Sequence, residues 1–226
     1  MKHKTSLLLF ATIIFLIATH KSNAQFNINT NPYWPGSIHL NDGTIITGFI
    51  MVPNSTRENN IAFRPTEKGK EETIKRKVIK SINVTSPNGK EYTYDHISTV
   101  LDFKGRANYA RNRLLLVQKQ NNFVKFYVES GVYKVDSKTN DIYTYYRYRQ
   151  GHDVPTTQFY MHKRDEEHAY ILCIIGIVGG NSKLRNSSKR LLTEDPELLN
   201  KIMNKELGNK DIYSIIDTYL ATTEGL

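Results

Sequence analysis

The sequence predicts an α+β fold, with antiparallel β-hairpins and a meander followed by two or three C-terminal helices. Short runs of β-branched and aromatic residues recur between Asn, Gly, Asp and Ser turns as far as residue 178. Beyond Gly179-Gly180 the spacing of apolar residues lengthens from two to about 3.6. Strands first and helices last is the α+β order, in which helices cover one face or one end of the sheet. At 226 residues, 39% hydrophobic and 11% aromatic, the chain holds enough apolar surface to offset its ordering entropy.

The first hairpin spans residues 36–52. Ser37-Ile38-His39-Leu40 alternates, Asn41-Asp42-Gly43 tolerates positive φ, and Thr44-Ile45-Ile46-Thr47-Gly48-Phe49-Ile50 resumes the strand pattern. Ile61-Ala62-Phe63 reads as a short strand, whereas residues 66–77, rich in Lys and Glu, read as a solvated loop or an exposed edge. A second hairpin joins Ser81-Ile82-Asn83-Val84 to Glu91-Tyr92-Thr93-Tyr94 through Asn88-Gly89, a favoured tight-turn pair. Runs at 114–117, 123–128, 132–135 and 142–146 continue as a meander. Residues 158–162 and 169–178 make one more hairpin around Arg164-Asp165-Glu166-Glu167. Its second arm is apolar on both faces, which places it in the middle of a core.

In the tail, Leu184, Leu191 and Leu192 fit a short basic helix. Asp195 suits an N-cap with Pro196 at the first helical position, and the stripe Leu198, Leu199, Ile202, Met203, Leu207 ends at Gly208. Asp211 then caps a last helix carrying Ile212, Ile215, Ile216, Tyr219 and Leu220.

Residues 1–24 read as a secretory signal peptide: Lys2 and Lys4, the apolar run 7–18, then Ser22-Asn23-Ala24, with cleavage between Ala24 and Gln25. Twelve residues make about 18 Å of helix, short of the ~30 Å hydrocarbon core, so a membrane anchor fits poorly. The expectation is a secreted or periplasmic protein with no transmembrane span after cleavage. Formal charge is +9 for the whole chain; removing Lys2, Lys4 and Lys21 leaves 28 basic and 22 acidic residues, net +6 over 202. The domain reading is a signal at 1–24, a β-rich body at 25–180 divisible at 100/101, and a helical segment at 181–226 packed on the body.

One cysteine excludes an intramolecular disulfide framework and any zinc module built on several thiolates. Cys173 lies in an apolar run and reads as a small hydrophobe. No nucleophile elbow, phosphate-cradling glycine loop or dinucleotide fingerprint is present, so neither a cofactor nor a metal is expected. His162 and His168 flank a charged turn, but their spacing matches no recognised metal site. Asp95-His96 and His152-Asp153 are adjacent, and neighbouring strand residues point to opposite faces, so neither pair makes a natural dyad.

The richest binding signal is Tyr143-Thr144-Tyr145-Tyr146-Arg147-Tyr148-Arg149. Rings interleaved with guanidinium groups stack on sugars while pairing with anions, which makes Tyr143, Tyr145, Arg147, Tyr148 and Arg149 the candidate binding residues. The plainer reading is a half-exposed strand whose tyrosines cover a core edge and whose arginines snorkel. The expected partner is an anionic envelope polymer, a glycan or a protein, without nucleic-acid specificity. Catalysis has a dispersed alternative, a hydrolase assembled from Asp102, His152 and His162.

The signal peptide ending Ala24-Gln25, the hairpin 36–50, the strand Phe123-Val124-Lys125-Phe126-Tyr127, and the tail motifs Asp195-Pro196-Glu197-Leu198 and Asp211-Ile212-Tyr213-Ser214-Ile215-Ile216-Asp217-Thr218-Tyr219 together resemble a group of uncharacterised exported proteins from Bacteroidetes. The resemblance implies an exported compartment and an α+β architecture, and no chemistry.

Overall fold

A hairpin opens the fold: β1 (Tyr33–Leu40) pairs antiparallel with β2 (Ile45–Met51), Ser37 opposite Thr47. The computed structural model describes residues 31–147, 153–154, 157–176 and 179–226. The expected signal peptide and its cleavage site lie outside them. Ile61-Ala62-Phe63 sits in β3 (Asn60–Arg64), and the Lys/Glu-rich stretch ends in β4 (Glu72–Lys75), the outermost strand of its sheet. The expected exposed edge is therefore a real one, and its charges discourage further pairing. Next, β5 (Ile79–Thr85) and β6 (Glu91–Val100) form the second hairpin across Asn88-Gly89.

From β6 the chain continues antiparallel into β7 (Ala110–Gln120) and β8 (Val124–Glu129). Here the meander departs from expectation. At Gly131 the backbone takes φ +92°, a left-handed conformation that a side chain resists. β9 (Val132–Val135) then leaves the sheet to pair with β10 (Ile142–Arg147), which in turn pairs with β11 (Asp153–Val154). The vacated edge of β8 is taken by β12 (Thr157–Lys163), and β13 (Ala169–Ile175) returns beside β12.

β13 also pairs in parallel with the end of β6, Ala169 opposite Thr99 and Tyr170 opposite Val100. Strands β6, β7, β8, β12 and β13 thus close into a ring, and β5, β1, β2, β3 and β4 extend from it in that order. Strand alternation divides the ring's side chains into two sets. Leu115, Tyr127, Tyr160, Ala169, Ile171 and Ile174 form a small cluster inside the closure. Leu114, Leu116, Phe126, Phe159, Met161, Leu172 and Cys173 face outward into the larger core, which they share with the β1–β5 layer and the helices.

Three helices follow: α1 (Gly180–Leu191), α2 (Pro196–Met203) and α3 (Ile212–Thr222), so the architecture is α+β with the helices at the C-terminal end. Asp195 caps α2 as expected, its Oδ1 accepting from Leu198 N at 2.9 Å. Two details differ. The helix stops at Met203, four residues before Leu207, and Lys205 takes φ +69°. Asp211 spends its carboxylate on Gly208 N (2.8 Å), closing a short 3₁₀ turn, and does not bond the start of α3. α3 lies on the ring's outer face, where Tyr219 and Tyr213 set their rings edge-on to Phe126 and Phe159. Among the described residues no helix is long and apolar enough to cross a membrane.

Gly36 sits where its strand leaves no room for a side chain. A Cβ at this position would stand 2.0 Å from the Asn83 carbonyl oxygen on the neighbouring β5. Only a residue without one fits there.

Candidate binding groove

Because β9 and β10 leave the main sheet, a groove of about 400 Å³ opens between this hairpin, the edge of β6 and the start of α3. Three side chains pin the hairpin in place. Lys90 Nζ lies 2.9 Å from Asp141 Oδ1, and the Tyr92 hydroxyl donates to the same oxygen at 2.9 Å while accepting from Ile142 N at 3.2 Å. Asn88 Nδ2 adds a bond to the Thr139 carbonyl at 2.9 Å. The hydrogen bond from Lys90, followed by that from Tyr92, holds the Asp141 carboxyl below the usual range, so it stays ionised at neutral pH. Burial, the largest influence, keeps the Tyr92 phenol protonated.

Two exposed rings flank this groove, Tyr143 from β10 and Tyr213 from α3, at 48% and 49% exposure. Such exposure is informative because a large ring left half in water forgoes about half of its burial energy. Tyr213 is not loose, since its ring meets Phe159 edge-on with centroids 5.5 Å apart. The lining also carries the hydroxyls of Thr144 and Thr157, tied together behind it by the buried Ser130, whose Oγ lies 2.9 Å from Thr144 Oγ1 and donates toward Thr157 Oγ1 at 3.4 Å. Rings at the rim, hydroxyls in the wall and one fixed ion pair suit a hydroxylated ligand with an apolar face.

Of the five residues expected to bind, the structure places Tyr143 at the groove. Tyr145 and Arg147 occupy β10, paired at the backbone with Val132 and Asp153, and their side chains lie outside the described residues, as Tyr148 and Arg149 do entirely. Sequence reasoning missed Tyr213, although its position off the apolar stripe Ile212, Ile215, Ile216, Tyr219 was a visible signal. It also missed the Lys90–Asp141 pair, whose members are 51 residues apart.

The dispersed hydrolase residues do not meet. Asp102 is bonded by Arg106 Nε and by Lys104 N, the latter at 2.8 Å, and Arg106 above all keeps its carboxyl below the usual range. His162 donates from Nε2 to the Glu166 carbonyl at 2.7 Å and lines a different hollow from Asp102. His152 lies outside the described residues. Asp95 and His96 diverge as alternation requires: Asp95 accepts from Lys125 Nζ (2.7 Å) and Tyr127 (2.9 Å), whereas His96 bonds the Ile79 carbonyl on another strand. His168 stands 3.8 Å from Glu167, and no group of three or more His, Cys, Asp or Glu converges among the described residues. Cys173 is fully buried, and burial pushes its thiol up to about 12, so the thiolate is scarce at neutral pH.

No protein-family model, curated protein or solved structure matches this chain.

Proposed function

We propose that this chain is an exported, non-catalytic binding module, secreted or periplasmic, that holds a glycan of the cell envelope in the groove between β10 and α3. The carrying observation is the pair of half-exposed rings, Tyr143 and Tyr213, lining one groove together with the hydroxyls of Thr144 and Thr157. Sugar rings present flat C–H faces to aromatic rings and hydroxyls to threonines, so both halves of the groove find a counterpart. A net charge of +6 after removal of residues 1–24 favours association with an anionic envelope polymer, without setting specificity. Export rests on the charged start, apolar run and small-residue cleavage site of residues 1–24.

The hydrolase alternative is weaker on geometric grounds. Asp102 and His162 line different hollows, so they do not converge on one substrate.

Co-precipitation with purified envelope polysaccharide tests the reading. Wild type is expected in the pellet, and Tyr143→Ala and Tyr213→Ala are each expected to lose roughly tenfold in affinity, the worth of one stacked ring. Equal retention of both variants and wild type would remove the groove from consideration.

A further inference from the structure

A second hollow, of about 350 Å³, shares no residue with the tyrosine groove. It opens where the end of β4 turns into β5 beside β6 and β7. Its lining brings together Lys75, Arg76, Lys77 and His96 with the side-chain amides of Asn60 and Asn112, and it contains no carboxylate. Among the described residues, no ion pair involves Lys75, Arg76 or Lys77.

The basic turn is held firmly for an exposed segment. Arg76 N donates to the Asn59 carbonyl at 2.8 Å, and Asn41 bonds both the Lys77 carbonyl (3.0 Å) and the Val78 carbonyl (2.9 Å). Arg76 Nη1 donates to the Thr56 carbonyl at 3.2 Å, fixing its guanidinium against the wall. Histidine 96 completes the wall: Nδ1 donates to the Ile79 carbonyl at 3.0 Å, and Nε2 is buried without a protein partner among the described residues. A buried ring nitrogen left unsatisfied calls for an explanation.

We propose that this hollow binds a tetrahedral oxyanion, the terminal phosphate or sulfate group of an ester. Three cationic side chains supply charge-assisted donors, and the neighbouring asparagines add neutral ones. A tetrahedral group presents three or four oxygens in different directions, against two in one plane for a carboxylate, and so can accept from more of these donors at once. The ester's remaining atoms fit, because the hollow is larger than the anion. Burial, and then the charge of Arg76, hold the His96 imidazole below its ordinary value. A bound anion would offset the charge of Arg76.

The test is a titration of the ¹⁵N-labelled protein with inorganic phosphate, inorganic sulfate and glucose 6-phosphate, alongside flotation with phosphatidylcholine vesicles doped with phosphatidic acid. Saturable shifts are expected at Asn60, His96 and Asn112. Arg76→Gln is expected to weaken binding roughly tenfold, the loss of a charged hydrogen bond, and Lys77→Gln about threefold. Lys68→Gln, an exposed change of the same net charge, is expected to leave affinity unaltered. Should Arg76→Gln fail to fold, Lys77→Gln decides, since its side chain is exposed. Sugar-phosphate binding without flotation assigns the ester to a soluble or glycan source. Flotation abolished by Lys77→Gln assigns it to a lipid headgroup. Absence of saturable shifts, or equal weakening by Lys68→Gln, overturns the site.

Discussion

Arg113 Nη1 lies 2.9 Å from Glu129 Oε1, and both side chains are withdrawn from solvent, at 6% and 3% exposure. Thr56 donates to the same carboxylate oxygen at 3.3 Å, and Oε2 has no partner among the described residues. The pair links β7 to β8 on the face turned into the ring. Burial pushes the Glu129 carboxyl up, and Arg113 pulls it back.

Removing one partner is therefore expected to hurt more than removing both. Arg113→Met strands a buried carboxylate and should cost about 3–5 kcal/mol in urea unfolding, whereas Arg113→Met/Glu129→Leu should recover much of that. With the guanidinium gone, the Glu129 carboxyl is raised further in the folded state. A raised carboxyl binds more protons folded than unfolded, so its cost grows with pH and fades below the unfolded value. The single variant's deficit against wild type should shrink from pH 8 to pH 5; the same deficit at both would show the carboxylate is not the cause.

Gly36→Ala tests the contact between β1 and β5. Its new methyl carbon would meet the Asn83 carbonyl oxygen at 2.0 Å, and the nearest atoms are all backbone of Asn83 and Val84, with no side chain to swing away. A loss of about 3 kcal/mol or more is expected by chemical denaturation, well above the typical cost of a point change. Gly225→Ala, which meets nothing within 4 Å, is the matched control. Comparable losses for the two would mean that β1 and β5 are not packed this closely.

His96 sets a pH dependence of opposite sign to that of Glu129. Its folded value is depressed, so the unfolded chain binds the proton more readily, and the stabilising contribution, present above the ordinary value of 6.5, is lost as pH falls. Wild type should lose more melting temperature than His96→Gln between pH 7.5 and 5.5. Parallel pH profiles for the two proteins would show that this imidazole does not titrate abnormally.

Much of the fold was legible because its signals are local. Asn41-Asp42-Gly43 and Asn88-Gly89 announce their hairpins, and Asp195-Pro196 announces α2. What stayed hidden depends on partners distant in sequence. Nothing in Phe126-Tyr127-Val128 says that β12, and not β9, takes the free edge of β8, because both candidates are short aromatic strands. Leu207 fits the apolar stripe of α2 by spacing alone, yet the helix ends at Met203, before it. The groove was half visible: Tyr143 stands in a tyrosine-rich strand, while Tyr213 joins it only because α3 folds back across the ring.

The parallel contact between Ala169-Tyr170 and Thr99-Val100 also dictates when this protein can become itself. A ribosome releases β6 some seventy residues before the strand that seals it, so the inward tyrosines stay wet and the last residues of β6, beyond its pairing with β5, keep one flank unclaimed until β13 emerges. Such a seam is slow to zip, because a long stretch of chain must be gathered first. A nascent chain stalled before Ala169 would expose that flank to its neighbours.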